Sequence, residues 1–196
     1  VWQRGNWILP TAQGTYFATK PPLYTWLAVI ASAPAGGPTA FTCALPSALC
    51  VLGIAALVFV IGRERWDNRT GIAAAWIVAT SHTLITLSVH VRPDALLGLL
   101  VTLALFAMHR AQLGRLRGMP TLFWIATALS ALVKGPVGPL LTIAGALLLT
   151  IVEHWRPAVR AILCSGAAFW LCVPIVWFGL AYIVGGKAYI NMTLSH

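Results

Sequence analysis

Residues 40–61 read AFTCALPSALCVLGIAALVFVI, and Gly62-Arg63-Glu64-Arg65-Trp66-Asp67-Asn68-Arg69 follows at once. A helix rises about 1.5 Å per residue, so this uncharged run spans ~33 Å, enough to cross the ~30 Å hydrocarbon core of a bilayer. The Trp and the arginines that close it are what a membrane helix carries where it meets the headgroups. This stretch therefore sets the frame for the rest: an all-α, polytopic membrane bundle.

Working outward, further apolar runs fall at residues 71–90, 95–109, 120–133, 137–152 and about 160–184. They are parted by Val91-Arg92-Pro93-Asp94, by His109-Arg110 with Arg115 and Arg117, by Lys134-Gly135-Pro136, and by Glu153-His154-Trp155-Arg156. Several are shorter than ~20 residues and must borrow their flanks to span. Residues 22–34 are also apolar, but ~13 residues reach only ~20 Å. Pro34-Ala35-Gly36-Gly37-Pro38 then stops the run. The expectation is about six crossings and one N-terminal segment lying at the interface, where Trp2, Trp7, Tyr16 and Phe17 also belong.

Composition agrees. Of 196 residues 59% are hydrophobic and only 9% charged, far below the roughly one quarter that covers a soluble domain. The formal charge of +9 does not mark nucleic-acid binding, because the cations gather on no single face or arm. They sit between apolar runs, as topology signals do. Cys43, Cys50, Cys164 and Cys172 lie inside those runs without the paired spacing of a zinc or redox site, and read as small core residues.

The loops at 62–70, 109–118 and 153–160 hold eight of the thirteen Lys and Arg, and they alternate with nearly uncharged loops. They share a side, and the positive-inside rule makes it cytoplasmic. Arg4, Lys20, Arg92, Lys134 and Lys187 then face outward, which requires that 22–34 does not cross. Residues 1–38 read as an external loop, 39–184 as six spans, and 185–196 as the start of another external loop. With no initiator Met and no structured ending, the chain reads as a piece of a longer membrane protein.

Each outward charge calls for a reason. Asp94 follows Pro93 at a helix start, where dipole and φ preference favour it and Arg92 offers a simple ion-pair partner. Lys134 complements the C-terminal dipole of its helix. Lys20 stands before two prolines on a non-helical shoulder, as a headgroup anchor or a phosphate ligand. Glu64, Asp67 and Glu153 sit beside arginines and read as ordinary solvated charges. Taken together, three cations and one carboxylate at helix ends could hold a lipid-linked phosphate through charge-assisted hydrogen bonds. The carboxylate among them could orient an acceptor, take a proton or hold a divalent ion.

Asn6-Trp7-Ile8-Leu9-Pro10, Gly14, Tyr16 and Lys20-Pro21-Pro22-Leu23-Tyr24-Thr25-Trp26-Leu27 resemble the first external loop of GT-C membrane glycosyltransferases, the aminoarabinose transferases and protein mannosyltransferase-like enzymes. The resemblance continues, in order, through Leu45-Pro46-Ser47-Ala48, Arg92-Pro93-Asp94 and Leu132-Val133-Lys134-Gly135-Pro136-Val137-Gly138. It implies transfer of a sugar from a polyprenyl-phosphate donor to a lipid, glycan or protein on the outer face of a bacterial inner membrane. It assigns the donor phosphate to Lys20, Arg92 and Lys134, a functional carboxylate to Asp94, and the lipid and sugar cavity to Tyr16, Tyr24 and Trp26. The family's principal acid lies upstream of the match to Asn6-Trp7, outside this chain. Thr19 stands where the family often has an acid, which leaves any metal undefined. His196 aligns loosely with a late-loop histidine and reads better as structural or solvent-exposed. A transporter or flippase of a lipid-linked precursor would need the same phosphate site, but also polar residues along a mid-membrane path. The spans carry only scattered Ser, Thr and His. A scaffold whose outward charges only anchor headgroups is the third reading.

Overall fold

The computed structural model describes residues 7–8, 11–12, 15–16, 21–115, 117–152, 154 and 156–194. Ahead of the helices, β1 (Thr11–Ala12) pairs antiparallel with β2 (Thr15–Tyr16), Thr11 opposite Tyr16. Nine α-helices follow among the described residues: α1 Leu23–Ser32, α2 Ala40–Arg65, α3 Asn68–Thr80, α4 His82–Val89, α5 Asp94–Gln112, α6 Met119–Lys134, α7 Val137–Val152, α8 Arg156–Cys164 and α9 Cys172–Leu194.

The stretch that sets the frame forms α2, entered through a Thr39–Thr42 capping box and closed at Arg65. By length and apolarity three segments can cross a membrane, Ala40–Arg65, Asp94–Gln112 and Ala167–Gly185, and a fourth is the bent pair α3–α4. α1 is short, as expected, and continues only through a 3-10 turn at Ala33–Ala35.

Two expected spans are corrected. Residues 71–90 are not one helix: Ser81 is extended, and α3 and α4 meet there at 57°. The run at 160–184 is also divided. α8 ends at Cys164, Gly166 takes φ 68°, and a 3-10 segment at Ala167–Leu171 leads into α9. α7 keeps its expected bounds and α6 runs one residue past the expected run of 120–133 at each end, sixteen residues each, or ~24 Å. The sixth-crossing count needs both to borrow their flanks.

The packing is that of helices in lipid. Where α5 and α6 meet, alanines close the gap: Ala95, Ala104, Ala107 and Ala126 are fully buried. Small side chains let backbones approach, which favours dispersion contacts where lipid leaves no hydrophobic drive between helices. Met108, Phe123, Trp124 and Ile162 fill the arginine-rich end, while Tyr24, Cys50, Leu96, Leu100 and Val133 fill the other. Outward-facing positions stay apolar: Phe41, Ile77, Ile151 and Ile183 are all more than 70% exposed. Of the cysteines only Cys50 is buried. Cys43 is half-buried, and Cys164 and Cys172 are exposed, so the core reading fails for those two.

The charged loops sort to two ends. Glu64 at the close of α2 binds Arg110 and Arg115 at the close of α5, which brings the 62–70 and 109–118 loops together. Arg92, Asp94 and Lys134 lie at the opposite end.

Candidate functional site

α5 and α6 run antiparallel, so the N-terminus of α5 stands beside the C-terminus of α6. Asp94 is the first residue of one and Lys134 the last of the other. Each charge complements its own helix dipole, and the two meet: Lys134 Nζ donates to Asp94 Oδ1 at 2.6 Å, both side chains partly exposed. Asp94 thus meets a lysine forty residues on in the sequence. Gly135 ends α6 with φ 64°, and the tight turn into α7 holds Lys134 in place. Just beyond, Gly138 lies against Ser130: a Cβ there would stand 2.6 Å from the Ser130 carbonyl carbon.

The Arg92 side chain is exposed, and its backbone is pinned. Ser47, fully buried on α2, donates to the Arg92 carbonyl at 3.2 Å and sits 2.6 Å from the Tyr24 hydroxyl. Tyr24 has one hydroxyl proton to share between Ser47 Oγ and the Cys43 carbonyl, which lies 3.0 Å away. One hydroxyl relay therefore ties α1, α2 and the loop before Asp94. The sequence offered Ser47 only as part of a resembling motif. Its signal was a lone hydroxyl after Pro46 in an apolar run.

Tyr24 and Trp26, expected to line a cavity, part ways. Tyr24 is buried but borders a groove of about 250 Å³ between α1 and α2, shared with Ala28, Ser32, Cys43 and Val91. Trp26 donates to the Trp7 carbonyl at 2.8 Å and packs near Leu132 and Trp177. Lys20 and Arg4 lie outside the described residues, as do Glu153 and His196 and the side chains of Tyr16 and Lys187. Among the described residues no three His, Cys, Asp or Glu side chains come together to hold a metal.

At the other end, the reading of Glu64 as a solvated charge is overturned. Its side chain is only 13% exposed, with Arg110 at 2.8 Å, Arg115 at 2.9 Å and the buried His109 at 3.4 Å. Asp67 is exposed but has a task, capping α3 by accepting from the Thr70 N–H at 2.6 Å. That hydrogen bond holds its carboxyl below the usual carboxylate range.

An uncharacterized protein of Aquifex aeolicus (strain VF5) is 28% identical over 179 residues, which are 90% of this chain and 39% of that protein. The crystal structure of ArnT from Cupriavidus metallidurans in the apo state shares the fold. It matches with a TM-score of 0.81 at 21% identity, over 100% of this chain and 37% of that one. The chain thus spans under two fifths of the length of each. A profile of the dolichyl-phosphate-mannose-protein mannosyltransferases matches residues 19–178, and this multi-pass membrane chain belongs to that family of GT-C proteins.

Proposed function

We propose that the whole protein transfers a sugar from a polyprenyl phosphate to a hydroxyl of a lipid, glycan or protein, on the outer face of a bacterial inner membrane. The observation that carries this is the Asp94–Lys134 contact at paired helix ends, beside the pinned Arg92 backbone. In the reaction an acceptor oxygen bonds to the anomeric carbon, the carbon–oxygen bond to phosphate breaks, and the acceptor proton passes to a base. Negative charge grows on the departing phosphate, and preplaced cations there stabilise it more in the transition state than in the donor.

Asp94 and Lys134 together are neutral, so they attract no anion by themselves. Lys134 has three donors and can keep Asp94 while offering another N–H to phosphate. Arg92, and Lys20 beyond the described residues, supply the surplus positive charge. Asp94 holds the ammonium in place and is available to orient the acceptor. The groove beside Tyr24 is apolar enough to seat the first isoprene units of a donor. The general base belongs, by family resemblance, to a segment upstream of Asn6.

The test is turnover by the purified full-length protein in proteoliposomes holding a polyprenyl-phosphate sugar and a lipid acceptor. Release of polyprenyl phosphate matched by glycosylated acceptor supports the reading. Movement of the intact donor across the bilayer without bond cleavage would make it a flippase instead.

A further inference from the structure

The Arg92–Pro93 peptide unit carries no N–H, because its nitrogen is the proline's. Its carbonyl is the only group by which hydrogen bonding can hold that unit. The unit leads directly into α5, whose first residue is Asp94. The carbonyl is taken by Ser47, a fully buried hydroxyl on α2, at 3.2 Å. A serine inside a helix ordinarily turns its hydroxyl back to the carbonyl four residues earlier, and for Ser47 that residue is Cys43. Ser47 reaches across to Arg92 instead, and Tyr24 supplies the reason. Its hydroxyl stands 3.0 Å from the Cys43 carbonyl and 2.6 Å from Ser47 Oγ. It thus occupies the acceptor that Ser47 would otherwise use. With the Tyr24 proton on Ser47 Oγ, the shorter of its two contacts, the Ser47 proton is left to point at Arg92. Both side chains are buried, and hydrogen bonds in a row polarise one another where water does not compete.

We propose that Tyr24 and Ser47 are positioning residues for sugar transfer: together they fix the Arg92–Pro93 peptide, and so set where Asp94 meets Lys134. Tyr24 acts through Ser47, and Ser47 through the Arg92 carbonyl. This rests on the reading of Asp94 and Lys134 as the end that holds the donor phosphate, and it adds the residues that keep this end in register with α1. A partly exposed ion pair gains little from its own contact, so the placement of its charges has to come from the backbone. A carboxylate that drifts with a loosened peptide loses its aim on the ammonium, and the cost falls on the transition state, where the phosphate charge is greatest.

The test uses the full-length protein in lipid nanodiscs, with two readouts. Hydrogen–deuterium exchange of the peptide covering residues 90–97 reads the anchor directly. Tyr24→Phe and Ser47→Ala should each speed it several-fold, while the peptide covering 137–152 exchanges as in the wild type. Initial rates of sugar transfer read the consequence. Each variant should lower kcat by about tenfold, the worth of roughly one hydrogen bond, with KM for the polyprenyl-phosphate sugar unchanged. Tyr24→Phe should add nothing in the Ser47→Ala background, since both act through one bond. Thr127→Val removes a buried hydroxyl that bonds within α6, and should leave both readouts alone. Tyr24→Phe removes a single oxygen, so it reads the anchor even if Ser47→Ala fails to fold. Wild-type exchange at 90–97 in Tyr24→Phe, a loss carried by KM, or equal effects from Thr127→Val would overturn the assignment. Faster exchange with a wild-type kcat would overturn it too, making the two hydroxyls a structural anchor while sugar transfer at this end still stands. A wild-type protein that transfers no sugar would instead end the functional reading, and the kinetic role of Tyr24 and Ser47 with it.

Discussion

Glu64 and Asp94 are both carboxylates at helix ends with basic partners, but burial separates what they do. Glu64 is shielded and pairs with Arg110 and Arg115 at once. Glu64→Gln removes the counter-charge of two guanidinium groups that water still reaches, since Arg110 is 25% and Arg115 57% exposed. We expect a loss of about 1 kcal/mol, seen as a lower melting temperature in detergent, with the specific activity of the folded fraction unchanged. Asp94 and Lys134 are 31% and 41% exposed, and such pairs contribute only ~0–1 kcal/mol to stability. Their value lies in what they can bind. Asp67 gives a third case. Its folded carboxyl titrates below its unfolded value, so the cap is complete above the ordinary range near ~4. It is lost as pH falls through the folded value. Acid unfolding followed by circular dichroism should show a shallower pH dependence in Asp67→Asn, which keeps a capping oxygen but cannot titrate.

At the scale of elements, the hairpin of α6 and α7 aims Lys134. Gly138 presses on Ser130 so closely that a methyl group would meet backbone, which cannot swing aside as a side chain would. Gly138→Ala should spread the hairpin, lower stability by about 1–3 kcal/mol, and reduce sugar transfer more than Gly145→Ala does. At Gly145 the nearest neighbour is the flexible end of Leu105. Melting temperature and initial rate for the two variants decide this. The helix ends of this hairpin were legible in sequence, since Lys134-Gly135-Pro136 punctuates an apolar run and residues 137–152 match α7. The break at Ser81 was not. Hydropathy is the same on both sides of it, and a window average carries no sign of an extended backbone at one residue. The split at Gly166 was hidden in the same way, inside a run whose composition already satisfied a span.

For the whole molecule, the distribution of cations among the loops carries the topology. It placed Asp94 and Lys134 on one face from residues forty apart, and the structure brings them into contact. It could not find the Glu64 cluster, because Arg63 and Arg65 flank that acid in sequence and supply an easy solvated reading, while its true partners come from α5. The bilayer sidedness itself can be mapped. In a background with the four cysteines replaced, a membrane-impermeant maleimide should label cysteines at positions 92 and 134 from one side only. Cysteines at positions 65 and 115 should react only from the other. Labelling of all four from one side would dismantle the topology.

The most direct test of the account is the rate of sugar transfer by the full-length protein when the Asp94–Lys134 pair is altered. Lys134→Met should lower kcat/KM by roughly a hundredfold, about 3 kcal/mol of lost stabilisation of the departing phosphate, with the melting temperature nearly unchanged. Asp94→Asn should lower it too, and the double variant should lose less than the product of the single losses, since the two act as one unit. Wild-type rates in Lys134→Met would contradict the central claim that this end of the bundle holds the phosphate.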